Sequence, residues 1–391
     1  MAEVSTQPSL IETLLPTELL SYTLGMLPDG MVGIAARTCR RWFQCSPKEL
    51  RQTLRAKTVC ASLELLRWAV NQAGYQMTSR TCTLAAQHGQ LEVLKWAREN
   101  GCPWDSYTCG AAAEFGHLEV LKWVIQNGCN HQYMNLCDKA AMGGQLEVLK
   151  WVREQGHSWN EYTCQWAALY GHLDVLRYLH ENGCPWKANT FTDAASKGQM
   201  HLFEFLHENG CPWDVYTCAS AANVEVLKWL RERGCPWNSS TCTAAAAAGK
   251  VEQLEWAREN GCPWDAKVCF CAAANGQLEV LKWLREKGCP WNEETCIAAA
   301  ERGYLDVLQW AHENGCPWGP KTCEAAAKGG HLEILKWLRA NGCPWDKETC
   351  TWADRYKNFE VVEWAYSNGC PLPDNLIWST YSFQNREEEQ Y

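Results

Sequence analysis

The chain has 391 residues, a net charge of −9, 47% hydrophobic and 21% charged residues, and large stocks of Cys (24), Trp (23) and Gly (28). This acidic balance argues against a general nucleic-acid surface, which needs basic excess along at least one face. No apolar run reaches the roughly 18 residues that a membrane-crossing helix needs, and residues 1–9, with Glu3 and no basic start, do not read as a secretory leader. The expectation is an intracellular protein, cytoplasmic or nuclear, with a flexible N-terminus over residues 1–9 and its cysteines held as thiols.

Residues 10–50 come first and do not share the periodicity of the rest. Pro16 suits the first turn of a helix, Leu19, Leu20 and Leu24 form one apolar stripe, and Pro28 breaks the chain before a second helix. Leu15-Pro16-Thr17-Glu18-Leu19-Leu20, Leu24, Leu27-Pro28, Ile34 and Cys39-Arg40-Arg41-Trp42 resemble an F-box, whose pattern opens on L-P-x-E-L-L and closes near R-x-W. The resemblance implies a three-helix module that docks on the small adaptor of a cullin–RING ubiquitin ligase. Leu15, Pro16, Leu19, Leu20, Leu24, Leu27, Pro28, Ile34 and Trp42 would form the adaptor-binding surface, and the residues that follow would hold the substrate. A helical cap that only covers the apolar edge of the next element fits the same residues, and both readings stay open.

Residues 51–370 are an array. The run Asn100-Gly101-Cys102-Pro103-Trp104-Asp105 recurs in variants, and its glycines from Gly74 to Gly369 are spaced 27, 27, 28, 27, 27, 24, 27, 27, 27, 27 and 27 residues apart. Within a unit, Asp105 is an N-cap for a short Ala-rich helix, Thr108 to Phe115, which Gly116 ends in the left-handed conformation. A second helix runs from His117 to Asn127, where Asn127-Gly128 stops it. Leu118, Val120, Leu121, Trp123 and Val124 span an arc of roughly 220° on its helical wheel, too wide for one partner, so each unit must be held between neighbours.

Ala112-Ala113-Glu114-Phe115-Gly116-His117-Leu118-Glu119-Val120-Leu121-Lys122, closing at Gly128, resembles the ankyrin core, as do Ala272 to Gly288 and Ala325 to Gly342. The implied fold class is all-α, a helical-repeat solenoid of stacked helix-turn-helix units. The family's 33-residue period includes a hairpin finger; here a shorter Cys-Pro-Trp-Asp loop stands in its place, and Cys109 replaces a usual Leu. Ankyrin repeats are binding platforms, so the resemblance implies no enzyme activity and no cofactor.

Several copies depart from the pattern. Between Gly210 and Gly234 three residues, including the inter-helix glycine, are missing, which predicts a tightened helix pair unless the gene model is in error. The loop after Gly128 lacks Pro-Trp, and Lys357 replaces an inter-helix glycine. Leu63 to Ala73 reads as a first incomplete repeat, residues 371–383 as a closing cap, and residues 384–391 as a disordered acidic tail.

Twenty cysteines belong to the repeat, one after the loop glycine and one in the first helix, spaced C-x6-C. That spacing does not gather the four ligands of a zinc site, and equivalents in neighbouring repeats lie a helix-packing distance apart, so the cysteines read as small apolar packing groups. The helix and loop tryptophans form two ladders of inter-repeat contacts. No Ser/His/Asp set, P-loop or HExxH motif occurs, so no catalytic, cofactor-binding or metal-binding residue is named. Recognition is expected where the repeat varies, near the ends of the first helix: Tyr107, Tyr133, Tyr162 and Tyr216 at one end, Phe115, Tyr170 and Arg302 at the other. The expectation is a monomeric scaffold for a protein partner, without nucleic acid or membrane, and with a ubiquitin-ligase adaptor at the N-terminus if the F-box reading holds. Alternatives are an interaction or structural array with no ligase link, and a thiol-rich metal or redox protein.

Overall fold

A computed structural model of the chain describes Cys60, residues 62–132 and residues 134–371. The segments expected at 1–9 and 10–50, the cap beyond Pro371, the tail at 384–391 and Tyr133 lie outside the described residues. Among the described residues there are 23 helices and no strand. After a lone helix, Leu63–Ala73, they alternate between a first helix (helix A, such as Ser106–Glu114) and a second (helix B, such as Leu118–Gln126). Chain contacts divide the protein into two compact units, Met1–Thr190 and Phe191–Tyr391. Each is a helical-repeat stack.

Helix A starts where the sequence places its cap. Asp105 is extended (φ −143°), and its carboxylate accepts from the Tyr107 N–H; Asn160, Asp214, Asn238, Asp265 and Asp346 do the same. A threonine at the third helical position answers back. The Thr163 and Thr217 hydroxyls accept from the N–H of Asn160 and Asp214, at 3.3 and 3.2 Å. These threonines are fully buried, a feature the sequence reading passed over. Helix B ends on an asparagine whose side-chain amide donates to the carbonyl four residues back, as Asn127 does to Trp123 at 2.8 Å. The following Gly128 turns the chain at φ +79°, a region L side chains rarely occupy.

Packing differs between the two helices. Ala112 and Ala113 are fully buried, and such small residues let successive helices A approach more closely than successive helices B within each unit. On helix B, Val120, Leu121 and Val124 are buried, while Lys122 and Glu119 pair at 2.8 Å on the surface, a contact of little energetic weight. The residue before helix B ties repeats together. His117, His172 and His331 each place Nε2 against a carbonyl of the preceding repeat at 3.0 to 3.1 Å, and the Asn358 amide donates to the carbonyls of Ala327 and Lys328.

The 24-residue copy folds as a pair with a shortened helix A, Val215–Ala219. Asn223 caps the next helix directly, replacing the missing glycine turn. Two carbonyls left at the stunted end, Ala221 and Ala222, accept from the Lys250 ammonium at 3.2 and 2.7 Å. Lys357, where other copies have glycine, takes the left-handed conformation at φ +61°.

The loops that lack Cys-Pro-Trp place two histidines together. His131 and His157 lie with ring centroids 5.2 Å apart. Burial, with His131 beside it, holds His157 below the ordinary imidazole pKa of about 6.5. A depressed histidine resists protonation in the folded state, so its contribution is complete above the unfolded pKa and is lost as pH falls from there toward the folded value. Hydrogen exchange in residues 129–134 is therefore expected to rise below about pH 6.5, and His157→Gln to remove most of that rise. An unchanged acid response in the variant would reject the assignment.

Candidate partner-binding face

Two aromatic systems run along the repeats, and they have different jobs. The first is internal to the stack. The Arg98 guanidinium on helix B lies 4.1 Å over the Trp104 ring of its own loop and donates to the Cys102 carbonyl. The other face of the contact is the next helix B: Trp104 meets Trp123 edge-on, centroids 5.7 Å apart. Arg153, Arg231, Arg258, Arg285 and Arg339 repeat the stacking at 4.1 to 4.4 Å, and His180, His207 and His312 take the same position over Trp186, Trp213 and Trp318. The two expected tryptophan ladders thus touch one another. Within each unit loop and helix tryptophans interleave in a belt, and loop rings such as Trp104 and Trp264 are fixed between a cation and the next ring. Their faces are occupied, which assigns the belt to cohesion.

The second system lies on helix A and is open. In the first unit Tyr107 is 66% exposed, Phe115 45%, Tyr162 55% and Tyr170 50%. Tyr107 and Phe115 stand at opposite ends of one helix A, and Tyr162 and Tyr170 at opposite ends of another, two repeats on. Helix Leu136–Met142 lies between them, where Lys139 pairs with Glu114 at 2.9 Å. Trp166, half-buried between Tyr162 and Tyr170, stacks on Tyr170 with centroids 6.2 Å apart and planes 27° from parallel. In the second unit Tyr216 is 63% exposed and Arg302 is exposed. There Trp352 and Tyr356 occupy the repeat positions of Trp166 and Tyr170, again 6.2 Å apart, with Lys328 within 6.0 Å of both rings. Burial, and then the charges of Asp346 and Glu348, raise the Glu324 carboxyl above the usual carboxylate value, although it pairs with the Trp352 indole.

Trp166, Trp352 and Tyr356 were not among the residues expected from sequence. The signal was available: two places after the helix-A cysteine the repeats carry Ala111, Lys139, Trp166, Ser220 and Trp352, as variable as any position chosen.

The cysteines pair across each helix-turn-helix. Those close in sequence, Cys102 and Cys109, belong to different repeats, whereas the helix-A cysteine meets the loop cysteine that closes its own repeat. The Cys82 thiol donates to Cys102 with 3.3 Å between sulfurs, and Cys109 pairs with Cys129, Cys242 with Cys262 and Cys296 with Cys316. The loop thiol then donates to the carbonyl of the helix-A cap, Cys129 to Asp105 at 3.2 Å and Cys184 to Asn160 at 3.3 Å, clasping the end of helix B to the start of helix A. Among the described residues no three His, Cys, Asp or Glu side chains converge as a metal site.

A protein-family model described as ankyrin repeats (many copies) matches residues 109–160 and 242–288. Two solved structures of the pentatricopeptide repeat protein PPR10 in complex with an 18-nt psaJ RNA element, one of them a triple Cys-to-Ser variant, are similar over 90% of this chain, with 14% identity and a TM-score of 0.36. The chain spans 63% of the length of those proteins. No curated protein matches it. Both matched stretches fall on the alternating helix pairs of the array.

Proposed function

We propose that this chain is a recognition scaffold that binds a protein partner through the exposed face of its helices A, and that its F-box-like segment links that partner to a cullin–RING ubiquitin ligase. The observation that carries the first part is the helix-A aromatic set. Tyr107, Phe115, Tyr162 and Tyr170 sit on helices fixed by their buried faces, yet leave much of their rings to solvent, with Trp166 half-buried among them. Large apolar groups of this kind, already immobilised, lose little entropy on binding and dominate interface energies. In this reading the chain acts as a monomer, needs no cofactor and catalyses nothing itself; nucleic acid and membranes play no part. The ligase link rests on Leu15, Pro16, Leu19, Leu20, Leu24, Leu27, Pro28, Ile34 and Trp42 of the sequence.

Two arms test the two parts separately. Full-length protein and Leu19→Asp plus Leu20→Asp are compared for capture of the ligase adaptor; a wild type that fails to bind it sinks the ligase link and leaves an interaction array. Proteins captured by the full-length chain are then compared with those held by Tyr162→Ser plus Tyr170→Ser, with Glu119→Gln on helix B as control. The double variant is expected to bind its partner at least about 30-fold more weakly, as for a pair of interface hot spots. Equal binding by all three proteins would remove the aromatic face from the proposal.

A further inference from the structure

We propose that Cys82 and Cys102 form a dithiol modification site, which hydrogen peroxide closes to a disulfide inside the first complete repeat. Their sulfurs lie 3.3 Å apart in direct thiol contact, so a movement of little more than about 1 Å brings them to the roughly 2.05 Å of a disulfide bond. Both side chains are buried, and the way in is a cavity that Cys102 lines. Before the Cys109–Cys129 pair the loop reads Cys102-Pro103-Trp104, whereas here the chain reads Gly74-Tyr75-Gln76-Met77. A cavity of about 370 Å³ remains there, lined by Val70, Tyr75, Met77, Asn100 and Cys102.

The chemistry assigns roles to the two sulfurs. The Cys82 S–H bond to Cys102, helped by the nearby Arg98 guanidinium, lowers the Cys102 thiol pKa despite burial, while Cys82 is raised. Cys102 is therefore the nucleophile. Its sulfur attacks one peroxide oxygen, the S–O bond forms, the O–O bond breaks, and the departing hydroxide leaves as water with the thiol proton. Cys82 then attacks the Cys102 sulfenic acid, the S–S bond forms, and the S–O bond breaks to release a second water. Two thiols give up two electrons and two protons, and the peroxide is reduced to two waters. Burial, with Cys102 nearby, pushes the third local thiol, Cys60, up to about 12 and removes it as the attacking group.

The test is differential alkylation and peptide mapping of the folded full-length protein before and after hydrogen peroxide. The expected result is a Cys82–Cys102 linked peptide, the loss of two titratable thiols, recovery of both with a dithiol reductant, and Cys109 and Cys129 still free. Cys129→Ser should oxidise like wild type, and Cys102→Ser should lose no thiol pair. Equal oxidation of Cys109 with Cys129, a link from Cys102 to any other cysteine, or an unchanged thiol count would each overturn the assignment.

Discussion

Gly143→Ala is expected to destabilise the first unit by about 3 kcal/mol, near the upper end of what overpacking a buried seam costs. Backbone conformation is not the reason, because Gly143 has φ −85° and ψ −2°, which any residue adopts. The obstacle is the neighbouring helix A. A Cβ on Gly143 would lie 1.6 Å from the Glu114 carbonyl oxygen and 2.6 Å from its carbon, both backbone atoms that no rotamer change can move. The helix Leu136–Met142 would have to withdraw from Ser106–Glu114, opening the seam where Ala112, Ala113, Ala140 and Ala141 are fully buried and stretching the Glu114–Lys139 pair. Gly128→Ala is the control. It meets nothing within 4 Å, so it costs only its φ of +79°, about 1 to 2 kcal/mol for an L residue in the left-handed region. Urea unfolding of both variants decides the matter. A Gly143→Ala protein within about 0.5 kcal/mol of wild type, the range of a neutral surface change, would refute the close approach.

The repeat was legible because its punctuation is local. A left-handed glycine, a carboxylate cap and an asparagine stop each act within a few residues of chain, so their spacing survives in sequence. The belt was only half legible. Trp104 and Trp123 announce themselves by size, but Arg98 is one charge on a helix rich in charges, and only its return at Arg153, Arg231, Arg258, Arg285 and Arg339 marks it as part of the stack. The thiol pairs went unseen for a geometric reason. Cys102 and Cys109 are seven positions apart but separated by a repeat boundary, while Cys82 and Cys102 are twenty apart and brought together by an antiparallel helix pair. Distance along the chain is a poor guide inside a helix-turn-helix. On helix A, the exposed tyrosines at the ends were visible from their variability; Trp166 was hidden because an aromatic amid Gln165, Ala167 and Ala168 looks like core.

Thr163→Val is expected to cost about 2 kcal/mol, whereas the same change at Thr349 costs less than about 0.5 kcal/mol or is favourable. Both threonines are fully buried at the third position of a helix A, and both exchanges keep the side chain's shape. Their hydroxyls differ in what they serve. Thr163 accepts from the Asn160 N–H and donates to the carboxylate of Asp138 on the preceding helix A. Thr349 has no hydrogen-bond partner for its hydroxyl oxygen among the described residues, so valine there removes an unsatisfied polar atom. At Thr163, valine strands an amide and a largely buried acid together. Burial raises the Asp138 pKa above the ordinary carboxylate value, and the Thr163 hydroxyl, with Lys139, opposes that rise. Without the hydroxyl the folded-state pKa climbs further above the unfolded value. An acid with a raised folded pKa disfavours folding while ionised, and the penalty fades as pH falls through the folded value and the group takes a proton. The deficit of Thr163→Val should therefore be largest at neutral pH and shrink on acidification, with no such trend for Thr349→Val. Denaturant unfolding of the two variants and wild type at neutral pH and near pH 4.5, about the upper edge of the carboxylate range, measures both quantities. A Thr163 deficit that does not change with pH would mean that the hydroxyl supports only the helix cap and not the Asp138 carboxylate.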